Sequence, residues 1–346
     1  MKKQFKLGVT LVGLMGAVLF GGSSREGGVG TASAEASEDR SSSHGVTHDA
    51  ASGPNDAADQ AEILANLGLR PGGSATTGRA ATALAGGGSC PHGMVEVEGD
   101  YCPNVEQKCV RWLDPETKMR CAEFESDTTC FGRTFHKHFC IDRFEYPNVA
   151  GEKPMVMKDW YEAKTTCEGA GKRLCGDSEW TLACEGQERL PYPYGYARSA
   201  EACNIDKPHM DVDEAAIAES SRRAGEVARL DQRSASGSHE ACVSPFGAYD
   251  MTGNVDEWVV NEGGHPYKSG LKGGYWGPVR DRCRPMTVAH NELFEFYQIG
   301  FRCCGESGPA AVSRVEDAAN RTVQNAAHAN RQGRRDEGQG TMLAGS

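Results

Sequence analysis

The sequence predicts an α+β domain of low regular secondary structure, held together by disulfides. Three observations predict it. All fourteen cysteines lie between Cys90 and Cys304; only two helical segments stand out in that stretch; and its remaining apolar pieces are short and separated by glycines. A dense, even set of cysteines reads as an oxidised framework outside the cytosol.

The first helix starts at Asp159, which precedes Trp160-Tyr161-Glu162-Ala163. Trp160, Ala163, Cys167 and Ala170 recur at helical spacing until Gly169 and Gly171 close the segment. A second start signal, Gly176-Asp177-Ser178-Glu179, leads into Trp180, Ala183 and Cys184 before Gly186 ends it. Beyond it Gly195, Gly247, Gly253, Gly273, Gly274 and Gly300 punctuate pieces such as Trp258-Val259-Val260 and Ile299-Gly300-Phe301, the pattern of small twisted sheets joined by loops.

Residues 90–140 carry six cysteines, Cys90, Cys102, Cys109, Cys121, Cys130 and Cys140, among short polar stretches that cannot build a large core and so rely on bridges. Zinc competes for clustered cysteines, but spacings of 12, 7, 12, 9 and 10 contain no C-x2-C or C-x4-C knuckle. His136-Lys137-His138 also invites a metal reading, against the plainer one of a solvated pair on a strand.

The flanks differ in kind. Lys2, Lys3 and Lys6 precede an uncharged apolar run from Leu7 to Phe20, short for a membrane span and suited to a signal-peptide core. The expected signal covers residues 1–34, with cleavage near Ala32-Ser33-Ala34 or Gly22; an uncleaved anchor is the alternative. Residues 35–89 read as a disordered Gly/Ala/Ser-rich linker with one short helix as its best ordered piece, Ala57 to Leu69. Residues 305–346 read as a second disordered tail. Thirty-seven Lys and Arg against 48 Asp and Glu leave a net charge of −11, with no basic surplus of the kind that nucleic-acid binding needs. The expected setting is secreted, periplasmic or cell-envelope, with no membrane span once the signal is removed.

Several dispersed motifs in fixed order carry a resemblance over residues 90–304: Gly93-Met94-Val95, Trp160-x-x-Ala163, GKRLCGDSEWTLACEG (171–186), YPYGY (192–196), YDMTGNVDEW (249–258), LKGGYW (271–276) and Gly300-Phe301-Arg302-Cys303. Together they resemble the formylglycine-generating enzyme, or sulfatase-modifying factor, family. The resemblance implies a single domain related in fold to C-type lectins. The family's best-known members oxidise a substrate cysteine to formylglycine, and others are sulfoxide synthases using non-haem iron.

The oxidase members carry two cysteines five positions apart after a Gly-Gly-Ser, a soft dithiolate for Cu(I). Here Gly273-Gly274 is followed by Tyr275 and Trp276, and no C-x4-C occurs in that stretch. One registration puts Pro278 and Cys283 on the copper positions. The other puts Cys283 on a structural Arg-Cys and is preferred, because it gives Cys283 a partner. The family's bridges, transferred here, imply Cys184 with Cys303 and Cys203 with Cys283, with the Cys303-Cys304 adjacency leaving the first ambiguous by one residue. The sulfoxide-synthase His-x3-His-x-Glu pattern is absent, so copper and iron are both unexpected.

The resemblance further implies structural calcium, a hard cation taking oxygen donors, from the side chains of Asp250 and Glu257 and the backbone of Gly253 and Val255. A second site would begin at Asn204-Ile205, with Asp231 as a candidate downstream acid. The competing reading has Asp250 capping a turn and Glu257 pairing with an arginine. His290, Tyr275 and Trp276 are weak catalytic candidates, with His265 and Glu292 near them in kind; Tyr275, Trp276 and Tyr297 form either a contact surface or core. The expectation is a calcium-stabilised module binding a peptide or glycan without cysteine-oxidase activity. The alternative is a metal-dependent oxidoreductase with an altered site.

Overall fold

Alternation in two eight-residue strands sets the first sheet. β1 (Met94–Tyr101) buries Met94, Val95 and Val97 and exposes Glu96, Glu98 and Asp100, the period-2 pattern of a strand with one face on a core. β6 (Phe135–Asp142) pairs with it antiparallel along its whole length and buries Phe139 to Asp142. The sheet continues through β12 (Cys303–Glu306) to β7 (Arg173–Leu174), in the order β1-β6-β12-β7. The structure, a computed structural model, describes residues 89–342, with side chains to 329. All of these belong to the unit Pro54–Ser346. The expected export signal, the linker up to Gly88 and its Ala57–Leu69 segment lie outside the described residues.

The second sheet has the order β10-β9-β8-β11, with β8 at Asp256–Val260, β9 at Ser269–Lys272, β10 at Met286–Thr287 and β11 at Ile299–Phe301. Its β8–β11 pair is parallel. Two small ribbons, β2 (Val105–Glu106) with β5 (Thr129–Cys130) and β3 (Cys109–Trp112) with β4 (Cys121–Phe124), make up the Cys-rich N-terminal part.

Both expected helices form. α1 (Trp160–Gly169) opens on a capping box in which the Glu162 N–H donates to Asp159 Oδ1 at 2.7 Å and the Asp159 N–H donates to Glu162 Oε2 at 3.1 Å. α2 (Asp177–Glu185) ends at Gly186, whose φ of +64° suits a residue without a Cβ. Trp180 of α2 packs with Val97, Ile141, Met251 and Val259 between the sheets, while Trp160 and Cys167 of α1 pack with Trp258, Ile299 and Phe301.

Two further helices answer to signals the sequence reading passed over. Asp213 caps α3 (Glu214–Ala218), accepting the Ala216 N–H at 2.9 Å, and α4 (Ser220–Leu230) follows. Ile217 and Leu230 bury against Val255, Trp276 and Tyr297. The C-terminal stretch expected to be a disordered tail instead forms α5 (Pro309–Met342). Its alanines explain the change: Ala311 and Ala318 are buried, and at the crossing a Cβ on Gly171 would lie 2.7 Å from the Arg314 carbonyl oxygen. Small residues on both sides let backbone approach backbone, and tertiary packing supplies what a polar, Ala-rich helix lacks alone.

Every cysteine is bridged. In the N-terminal part Cys109–Cys121 nests inside Cys102–Cys130, which nests inside Cys90–Cys140. The remaining bridges correct both transferred pairings. Cys303 joins Cys167 and not Cys184; Cys203 joins Cys242 and not Cys283; and Cys184 joins Cys283. The reason lies in β12. Adjacent strand residues face opposite sides, so Cys303 points to the α1 cluster, where Cys167 waits, and Cys304 points to the α2 cluster and Cys175. Cys184, on α2, faces that second cluster together with Cys283.

Candidate functional site

The cleft opens where β9 gives way to Gly273-Gly274. Both glycines have positive φ, +90° and +79°. A Cβ on Gly273 would press on the Met251 carbonyl at 3.0 Å, and one on Gly274 would collide with Asp281 Oδ1 at 2.2 Å. Only glycine lets the chain turn there. The cleft holds about 230 Å³ and is lined by Asp256, Gly273, Gly274, Arg280, Thr287 and apolar neighbours including Leu271.

Asp256 is its acidic group. Its Oδ1 accepts the Gly274 N–H at 3.1 Å. Enclosure pushes its carboxyl up to about 7, with the Glu257 charge adding and Arg280 opposing. Behind Gly274 the Asp281 carboxylate is buried against Arg198, and Arg198 bonds Asp206 at 2.7 Å, which in turn bonds Arg120 at 3.0 Å. The cleft wall is thus tied by charge to the Cys-rich N-terminal part. Asp281 Oδ1 itself has no partner. Sequence reading missed Asp256, Arg280 and Thr287; the first opens the strand Asp256–Val260 beside a second acid, Glu257, and no local signal set it apart.

Cys283 stands near this cleft, but its sulfur is bonded to Cys184 at 2.02 Å and fully buried. Trp276 and Tyr297 are core, 1% and 5% exposed, packed on Ile217 and Leu230, so of the three aromatics only Tyr275 keeps partial exposure. His290 stacks on Phe294 with ring centroids 4.0 Å apart, and burial holds its imidazole below the ordinary range. The His265 carbonyl accepts from Asn261 at 3.2 Å, a loop role, while the Glu292 carboxylate accepts the Lys268 N–H at 2.7 Å. No residue of this set lines the Gly273-Gly274 cleft.

The two calcium candidates, about fifty residues apart in sequence, are neighbours. The Asn254 N–H donates to the Asn204 carbonyl at 3.0 Å, Asn204 Nδ2 donates to Asn254 Oδ1 at 3.0 Å, and a Cβ on Gly253 would meet both the Asn204 carbonyl and Ile205 at 2.4 Å. Asn204 Oδ1 is buried with no partner, an oxygen that fits a hard cation. Glu257 fits poorly. Its two oxygens accept from Arg302 at 2.7 Å each and from Trp180 Nε1 at 2.7 Å. Asp231 is likewise committed, to Lys153 and Arg233. Asp250, at φ +57°, accepts the Gly237 N–H at 2.8 Å. Burial first, then the Glu257 charge, raises its carboxyl to about 6. Nearby Glu145 accepts from Asn254 Nδ2 at 2.7 Å and from the Val255 N–H at 3.2 Å, and is raised well above the usual carboxylate range by burial and the two neighbouring acids. Three buried carboxylates therefore share one guanidinium.

Comparison with known proteins agrees with the motif order. A serine/threonine-protein kinase, pkn1, of Chlamydia caviae is 27% identical over 175 residues, 43% of this chain and 24% of that protein. The inactive C-alpha-formylglycine-generating enzyme 2 of Bos taurus is 26% identical over 179 residues, 45% of this chain and 52% of that protein. The chain thus spans about a quarter to about half the length of these curated relatives. Among solved structures, PvdO from Pseudomonas aeruginosa is similar at 18% identity and a TM-score of 0.39, covering 63% of this chain and 95% of that one; CarF is similar at 15% and 0.38, covering 62% and 97%. The family described as the sulfatase-modifying factor enzyme 1-like domain matches residues 98–307, well over half of the sequence, and the chain belongs to that family.

Proposed function

We propose that this chain is an exported binding domain of the formylglycine-generating-enzyme family that does not oxidise cysteine, and that its ligand, a peptide or glycan, sits at the Gly273-Gly274 cleft. One observation carries the reading. Copper-dependent oxidation needs two facing thiolates, and the one cysteine near the cleft is locked in the buried Cys184–Cys283 bridge. That a bovine relative bears the description inactive is in keeping with it. Export is supported by the charged start and apolar run of residues 1–20 and by seven bridges. No helix among the described residues is long and apolar enough to cross a membrane. Calcium remains part of the proposal as a structural ion beside Asn204 and Asp250, supported by the unpartnered Asn204 Oδ1 and the surplus of buried carboxylates.

The protein loaded with Cu(I) and given oxygen and a peptide containing Cys-x-Pro-x-Arg is expected to form no aldehyde above a metal-only control. Turnover that disappears in Cys283→Ser would overturn the reading. Metal analysis of the purified chain tests the alternative, an oxidoreductase of altered site: bound stoichiometric iron or copper favours it, calcium alone does not. Peptide and glycan arrays probed with wild type and with Asp256→Asn identify the ligand class, and binding that is indifferent to Asp256 would remove the cleft from the proposal.

A further inference from the structure

The β1–β6 ribbon carries a second cluster of ligating groups, remote in role from the cleft. Its antiparallel register sets Glu98 opposite His138 and Asp100 opposite His136. Opposed residues share a face, and period-2 alternation adds Glu96 to it. All five side chains are exposed, while Val95, Val97, Phe139 and Ile141 of the same strands face the core. His138 Nε2 lies 2.6 Å from Glu96 Oε1, and His136 lies 3.2 Å from Asp100 Oδ1 and 3.7 Å from Glu98 Oε1. One ligand atom from each of Glu96, Glu98 and His138 falls within 4.8 Å of the others.

We propose that Glu96, Glu98 and His138 bind one divalent transition-metal ion of the zinc class on this face. The chemistry of the donors decides the class: an imidazole with two carboxylates suits a borderline ion, whereas calcium and magnesium take oxygen alone. Charge supports occupancy. Three carboxylates at two-residue spacing repel one another, and among the described residues none has a lysine or arginine partner; Lys137, between the histidines, turns to Glu262 instead. The groups that answer them are the imidazoles and, at Glu96 Oε1, the Ser89 hydroxyl; imidazoles as free bases are ligands and not counter-charges. Rigidity supports it as well. The two strands are paired over eight residues, and Cys140, two positions after His138 and opposite Glu96, is cross-linked to Cys90. Closing the three donors onto an ion about 2 Å from each therefore takes only rotation of exposed side chains, and water completes the coordination.

The test is calorimetric titration of tag-free full-length protein with zinc chloride at neutral pH, in the presence of excess calcium. One equivalent is expected to bind. His138→Ala and Glu98→Gln are each expected to weaken it by about tenfold or more, with the near-ultraviolet circular dichroism unchanged to show that the fold is kept. His136→Ala and Asp250→Asn are expected to leave affinity within about threefold. Absence of zinc binding, or zinc binding as tight in His138→Ala as in wild type, overturns the proposal.

Discussion

Arg302 and Glu257 form a bidentate ion pair with essentially no exposure, 0% and 1% of their side chains. The pair joins β8 to the residue after β11, and Trp180 of α2 donates to the same carboxylate. Arg302 also donates to the Tyr249 carbonyl at 2.9 Å. Because Glu145 and Asp250 lie in the same buried group, the guanidinium answers more than its nearest partner.

The two halves of this pair are therefore unequal. Arg302→Met leaves three buried carboxylates without their cation and is expected to cost about 3–5 kcal/mol or to prevent folding. Glu257→Gln leaves Arg302 with two acids still beside it and is expected to cost less. Urea denaturation of both variants measures the difference, and equal losses would contradict the shared-cation account.

Calcium is tested at Asp250, since Glu257→Gln breaks an ion pair whether or not an ion is bound. Chelation is expected to lower the melting temperature of the wild type by mass action. Asp250→Asn, which preserves a side chain tolerant of positive φ, is expected to abolish that sensitivity. A wild type whose melting ignores chelators leaves Asp250 as a turn residue only.

The bridge network predicts that denatured, unreduced protein titrates with almost no free thiol. Reduction is expected to unfold it, because each bridge in a small loop-rich domain is worth about 2–5 kcal/mol and seven exceed the usual margin of about 5–15 kcal/mol. Several reactive thiols per chain would contradict the pairing.

Lys272 predicts a pH signature. It is buried over the Trp180 ring, donating to Thr181 Oγ1 at 2.8 Å and the Arg284 carbonyl at 2.9 Å, and burial lowers its ammonium to about 7. A folded-state value below the unfolded one means that the unfolded chain holds more protons between the two. Lys272 then penalises the folded state most below pH 7, and the penalty fades as pH rises toward the unfolded value, so stability rises across that window. Lys272→Met is expected to flatten the slope of denaturation free energy between about pH 7 and 10; an unchanged slope would show that the amine is not held neutral.

The sequence disclosed those parts of the fold whose signals are local. The Asp159 cap with Trp160, Ala163 and Cys167 at helical spacing located α1, and the order of dispersed motifs located the family. Long-range partners were hidden for a physical reason: which way Cys303 and Cys304 point depends on the register of β12, and a transferred pairing cannot supply that. α5 was hidden because its stability comes from contact with Gly171 and not from its own apolar content. In the cleft the twin glycines were legible and the acid was not, since Asp256 occupies an unspecified position of the motif 250–257 and acquires its character from enclosure.

The placement of Cys283, Cys303 and Cys304 so late in the chain gives the molecule a timetable. A polypeptide made from its N-terminus can close the three nested bridges of residues 90–140 and the Cys203–Cys242 loop before residue 283 has been added. The bridge that fastens α2 must wait for Cys283, just before β10, and the two that fasten α1 and the end of β7 must wait for β12. Until then Cys167, Cys175 and Cys184 lack their native mates, so a chain that stops shortly before residue 283 carries three cysteines that none of its remaining native bridges can occupy.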